Sequence, residues 1–184
     1  FKAIERAEVE HERSAYLATH DVLTQLPNRY LFADRFDQAF SDWKVNGVPF
    51  AVLLIDLDHF KDINDKHGHE VGDQVLKAVA NRMLQVTRSR DTVARYGGDE
   101  FVILITDLVN PESAELNAER VLEVIAQTVA TSAGELSLSC SIGVSLCPDH
   151  GQNLGSLLKA ADQAMYGVKQ LGRKGVAMTE SPEA

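Results

Sequence analysis

Short apolar runs and longer amphipathic periods alternate along this chain. Residues 50–55, Phe-Ala-Val-Leu-Leu-Ile, are an unbroken apolar run closed by Pro49 on one side and Asp56 on the other. A run that short, bounded that way, predicts a central strand buried on both faces. Residues 93–96 and 101–105 are two β-rich runs joined through Gly97-Gly98-Asp99-Glu100. Two such runs around Gly-Gly predict a β-hairpin, with two acids at its tip. Residues 136–146 alternate strictly, with Leu136, Leu138, Cys140, Ile142, Val144 and Leu146 on one side and serines and Gly143 on the other. That period of two predicts one half-buried strand. Residues 175–178 make a short closing strand.

Helical periods fill the intervals. Asn28 stands where an N-cap is expected, and Phe32, Phe36, Ala39, Phe40 and Trp43 follow at helical spacing as core positions. A second helix is expected from Asp73 to Thr87, with Val75, Leu76, Val79, Met83 and Val86 inward. A third starts at Pro111 and turns Ala114, Ala118, Val121, Leu122, Ile125 and Val129 inward. A fourth carries Leu154, Leu157, Leu158, Ala161, Met165 and Val168 and ends near Gly172. Residues 62–72 are polar and glycine-bearing and read as a loop. Residues 1–20 are charged and helix-favouring, with a poor apolar stripe of Ile4, Ala7, His11 and Ala18, too short for a coiled coil. They are expected to be a helical linker from a module N-terminal to this sequence, an expectation strengthened by the start at Phe1 rather than Met. The order predicts an α/β (α+β) domain over 21–178, a mixed sheet with helices against it in the manner of a split βαβ unit, and a tail over 179–184.

Composition narrows the partners. Twenty-seven acids against 18 bases give a net charge of −9, which argues against broad binding to nucleic acid or to anionic membranes. It leaves room for a small phosphorylated ligand held by a few local cations. Cys140 and Cys147 lie too far apart along one extended run to bridge each other. No zinc-type spacing and no bilayer-length apolar run occurs, so a reduced, cytoplasmic setting is expected.

The chemistry gathers at strand ends. Asp56 ends the apolar strand and Asp99 sits at the hairpin tip. If those strands are neighbours, two carboxylates converge, and such convergence is costly without a cation between them. Magnesium suits one or two carboxylates plus waters and substrate phosphates, and the Leu57 carbonyl can add a ligand. Lys61, Lys169 and Arg173 are candidate phosphate contacts, the last two expected on one face of the final helix. Asn64 and Asp73 offer an amide and a carboxylate for a base edge. Each also has a plainer reading: the hairpin acids as a polar turn, the cations as solvated, Asn64 as a turn residue and Asp73 as a first-turn helix acid.

Five blocks occur in order from Asp21 to Val176: DVLTQLPNR at 21–29, DLDHFK at 56–61, NDKHGHEVGD at 64–73, RYGGDEF at 95–101 and ADQAMYGVKQLGR at 161–173. Together they resemble the GGDEF-domain diguanylate cyclases. The resemblance implies a ferredoxin-like sheet of the nucleotidyl-cyclase and polymerase-palm type, and condensation of two GTP to cyclic di-GMP with release of two pyrophosphates. It implies a homodimer of facing half-sites. Magnesium, or manganese in its place, would sit on Asp56, the Leu57 carbonyl and Asp99. Asp99 would be the general base with Glu100 beside it, Asn64 and Asp73 would contact guanine, and Lys61, Lys169 and Arg173 would contact phosphates, Lys61 being catalytic as well. Arg88 and Asp91, in RxxD spacing ahead of the hairpin, resemble the family's inhibitory product site, with Arg120 as a further contact. Two departures stand out: Gln25 replaces a glycine frequent after Leu-Thr, and Lys174 replaces an asparagine frequent after Gly-Arg.

Overall fold

A computed structural model describes residues 2–180 of the chain. Positions 181–184 of the expected tail lie outside it, as does the side chain of Ala7 in the expected stripe. The elements run α1 (Lys2–Thr19), α2 (Arg29–Asn46), β1 (Phe50–Leu57), α3 (Phe60–His67), α4 (His69–Val86), β2 (Thr92–Gly97), β3 (Glu100–Ile105), α5 (Pro111–Ile125), β4 (Val129–Thr131), β5 (Gly134–Leu136), β6 (Cys140–Cys147), α6 (Leu154–Gln170) and β7 (Gly175–Met178).

Five strands form one mixed sheet in the order β2-β3-β1-β6-β7. β1 is central and antiparallel to both β3 and β6, β2 is antiparallel to β3, and β7 is parallel to β6. The apolar run therefore lies where a doubly buried strand must, with helices on both sides. Ala51, Leu53, Ile55 and Leu57 face a core shared with α4 and α5. Phe50, Val52 and Leu54 face the other way, into a core built with Phe32, Phe36 and Ala39 of α2 and Leu157, Ala161 and Met165 of α6. The N-cap expectation holds: the Asn28 side chain accepts from the N–H groups of Tyr30 and Leu31 at 3.0 and 3.1 Å.

Three expectations are corrected. The polar stretch read as a loop is mostly helix: α3 occupies 60–67, and α4 begins at His69 rather than Asp73. Gly68, with φ 87°, separates the two helices. The strand expected over 136–146 is two strands. Leu136 ends β5, which pairs only with β4, and the sheet strand starts at Cys140. The hairpin of β4 and β5 takes in Val129, which helical spacing places at the end of the preceding helix.

The polar side of β6 is buried as well, because α6 lies directly against it. The Ser145 hydroxyl donates to the Leu157 carbonyl at 2.8 Å. At Gly143 any Cβ would collide with the Ala161 carbonyl, so a serine and a glycine are what that close approach allows. Cys140 and Cys147 are both free and buried, at opposite ends of β6 and in different cores. Burial pushes the Cys147 thiol up to about 11, which leaves it inert. No described helix is long and apolar enough to cross a membrane.

Candidate active site

The β2–β3 hairpin delivers its acids to the end of β1. In the antiparallel register Asp56 stands directly opposite Glu100, and the Leu57 N–H donates to the Asp99 carbonyl at 3.3 Å. Asp56 and Asp99, 43 apart in sequence, thus meet at one end of the sheet. Because side chains alternate along a strand, Asp56 shares the face of Val52 and Leu54 and points toward α6. There Lys169 donates to its Oδ2.

The hairpin turn is held by Arg95. Its Nε and Nη2 donate to the Gly98 carbonyl at 3.0 and 2.8 Å, and its Nη1 lies 3.2 Å from Asp21. Asp21 also accepts from the Thr24 N–H and hydroxyl. Although burial opposes it, these bonds and the Arg95 charge hold the Asp21 carboxyl below its ordinary value. Sequence pattern marks both residues only as letters of longer motifs. Their partnership joins segments 74 residues apart and has no signal in local pattern.

A cleft of about 250 Å³ opens beside the acids, lined by Asp56, Leu57, Asp58, His59, Phe60, Lys61, Asp62, Asp99, Lys169 and Arg173. It brings together the expected carboxylates, the Leu57 peptide and all three expected phosphate contacts. Arg173 arrives by a different route from the one expected. α6 ends at Gln170, and Arg173 follows in a left-handed turn, φ 65°, so it is not on a helix face with Lys169. Lys61 lies in the first turn of α3, not on a loop. His59 gives that first turn no side-chain cap, which suits its leading N–H groups to an anion.

Electrostatics favour a cation here. Burial, then the charge of Asp56, pushes the Asp99 carboxyl up to about 6. Burial and the nearby charges of Asp56 and Asp162 also raise Glu100. Asp56 Oδ1 is buried and has no hydrogen-bond partner among the described residues. No group of three or more His, Cys, Asp or Glu side chains suited to a metal occurs among those residues. An ion at this place would hence draw further ligands from the backbone or a bound molecule, which is magnesium's habit. The donor set, hard oxygens with one left unsatisfied, fits.

Asn64 and Asp73 do not line this cleft. Asn64 is on α3 and packs onto α4 at Gly72, where a Cβ would collide with its Oδ1 and stand 3.2 Å from Phe60 Cζ. That Oδ1 is buried and has no hydrogen-bond partner among the described residues. Asp73 follows Gly72 and is exposed. The α3–α4 contact thus brings Asn64 against the turn that carries Asp73.

Arg88 and Asp91 meet in the turn before β2, through the backbone: Asp91 Oδ2 accepts the Arg88 N–H at 2.9 Å and its Oδ1 accepts the Thr106 N–H at 3.2 Å. Neighbouring Arg90 pairs with Asp107 at 2.7 Å. Arg120 is exposed on α5, and no bond joins it to Arg88 or Asp91 among the described residues.

Residues 18–175 match the family described as diguanylate cyclase, GGDEF domain. The chain is 46% identical over 165 residues to MucR of Pseudomonas aeruginosa, named a bifunctional diguanylate cyclase/cyclic di-GMP phosphodiesterase; the match covers 90% of this chain and 24% of MucR. It is 39% identical over 163 residues to NbdA of the same organism, named a cyclic di-GMP phosphodiesterase, covering 89% of this chain and 21% of NbdA. The chain therefore spans about a quarter or less of these two relatives. Among solved structures, the coiled coil and GGDEF domain of DgcB from Caulobacter crescentus, in complex with c-di-GMP, superposes with a TM-score of 0.85 at 30% identity, covering 96% of this chain and 94% of that one. The chain belongs to the GGDEF-domain diguanylate cyclase family.

Proposed function

We propose that this domain condenses two GTP into cyclic di-GMP with release of two pyrophosphates, each subunit of a homodimer presenting one nucleotide to the other. The observation that carries the reading is the meeting of Asp56 and Asp99, with one Asp56 oxygen unpartnered, in a cleft also lined by Lys61, Lys169 and Arg173. Asp56, the Leu57 carbonyl and Asp99 would hold magnesium or manganese. When bound, the ion neutralises triphosphate charge and acidifies the attacking 3′-hydroxyl. Lys61, Lys169, Arg173 and the uncapped start of α3 bind the phosphates. Asn64 and Asp73 orient guanine. Asp99, with Glu100 beside it, takes the proton from the 3′-hydroxyl. In-line attack needs the second nucleotide aligned from across the dimer.

In this reading residues 1–20 are a linker that sets subunit geometry, and Arg88, Asp91 and Arg120 form a product-binding inhibitory site. The bound c-di-GMP of DgcB and the exposure of Arg88 and Arg120 support the latter.

A second reading, a GGDEF module that binds GTP or cyclic di-GMP without turnover and regulates an attached domain, is favoured by the likeness to NbdA, whose name carries only phosphodiesterase activity. Incubation of the dimer with GTP and magnesium separates the two. The first reading expects cyclic di-GMP by chromatography, with at least about 100-fold loss in Asp56→Ala and Asp99→Ala. GTP binding with no product in a demonstrated dimer establishes the second.

A further inference from the structure

Three consecutive residues after α6 have positive φ: Gly172 at 108°, Arg173 at 65° and Lys174 at 53°. Side chains disfavour that region, and a backbone so placed persists only where its surroundings hold it. Both peptide N–H groups flanking Arg173 are engaged. Its own donates to the Val168 carbonyl at 3.0 Å. The next one, of Lys174, donates to Asp58 Oδ2 at 3.2 Å.

Asp58 is only 7% exposed. Its carboxylate accepts from the hydroxyls of Ser139 and Ser141, each at 2.7 Å, and its N–H donates to the Ser139 carbonyl at 2.9 Å. Among the described residues no cationic side chain pairs with it. An aspartate buried on hydrogen bonds alone is costly to retain. What those bonds accomplish is to tie the end of β1 to the start of β6 and to the peptide that follows Arg173.

We propose that Asp58 is a positioning residue for nucleotide binding. By holding the Lys174 N–H it fixes the Arg173–Lys174 peptide, keeps Arg173 left-handed and aims the guanidinium into the Asp56–Asp99 cleft. The inference rests on the reading of Arg173 as a phosphate contact.

The test uses two ligands that cannot be cyclised, 3′-deoxy-GTP and guanosine, with binding followed by calorimetry or ligand NMR on the whole chain. Arg173→Ala is expected to weaken 3′-deoxy-GTP and leave guanosine unchanged. Asp58→Asn is expected to weaken 3′-deoxy-GTP about 10-fold, the size of one charge-assisted hydrogen bond, with guanosine again unchanged. In the Arg173→Ala background Asp58→Asn should add nothing, because both act through one contact. If Arg173→Ala leaves 3′-deoxy-GTP binding unaltered, the phosphate reading itself fails. If Arg173→Ala weakens binding but Asp58→Asn does not, only the positioning role is overturned. Equal weakening of both ligands by Asp58→Asn, or full additivity with Arg173→Ala, also overturns it, since each marks general damage to the fold. Should circular dichroism show Asp58→Asn unfolded, Ser139→Ala removes one support of the carboxylate, and a loss of about 3-fold for 3′-deoxy-GTP alone is expected; no loss overturns the proposal.

Discussion

Two single residues show what this chain tolerates. Gln25 and Lys174, the positions that depart from the family pattern, both adopt left-handed backbone, φ 60° and 53°. Glycine and asparagine suit that region and long side chains do not. Gln25→Gly and Lys174→Asn should therefore each stabilise the domain by about 0.5–1 kcal/mol, read as a rise in the urea midpoint at unchanged slope. A fall in either would show that the native side chain makes a compensating contact. Asp99 presents the opposite case, a residue kept against stability. Its unfolded carboxyl loses its proton near 3.8, and the folded one does so at about 6. Between those values the folded state holds the extra proton, so Asp99 stabilises folding at low pH and progressively loses that contribution as pH rises toward 6. Without metal, Asp99→Asn should be more stable than the parent above pH 6 by about 1 kcal/mol, after discounting for partial exposure. The advantage should shrink as pH falls to 5. An advantage independent of pH would assign the gain to packing instead.

The elements that sequence pattern reveals are the ones whose burial follows their own periodicity. β1 is apolar over 50–55 because both its faces are covered, and Asp56 and Asp99 could be brought together on paper because one closes that apolar run and the other sits at a hairpin tip. α3 escaped because FKDINDKH offers only Phe60 and Ile63 as apolar positions, too few for a period. The three-residue strands β4 and β5 are shorter than any alternation. The buried serine side of β6 was hidden for another reason: its burial is imposed by α6, and small polar residues read as solvent-facing unless the neighbour is known. The α3–α4 junction carries the sharpest test at this level. Gly72→Ala places a methyl group against Asn64 Oδ1 and Phe60, so Asn64 must move while α4 keeps its helix. GTP affinity should fall about 10-fold or more, with guanosine affected as strongly as the triphosphate. Selective loss of the triphosphate would remove Asn64 from the base-contact role.

For the whole molecule, the proposed reaction gives the cleft of each chain one set of phosphate and metal contacts, so in that reading a lone chain would have an electrophile and no facing nucleophile. Turnover per subunit should fall on dilution through the monomer–dimer equilibrium, measured by cyclic di-GMP formation alongside mass photometry. Constant turnover in the monomeric range would contradict the paired half-site reading. The net charge of −9 adds that association should tighten as salt rises, because like-charged subunits repel less when screened.

The junction at the end of α1 has a mechanical consequence. The Ala18 and Thr19 carbonyls accept from Asn28, the Pro27 carbonyl accepts from the Arg95 N–H, and Arg95 grips both Asp21 and the turn ahead of Asp99. A torque on α1 would reach Asp99 through a few polar bonds and bypass the hydrophobic interior. In the reading of residues 1–20 as a linker, the domain is tuned by a lever at its edge.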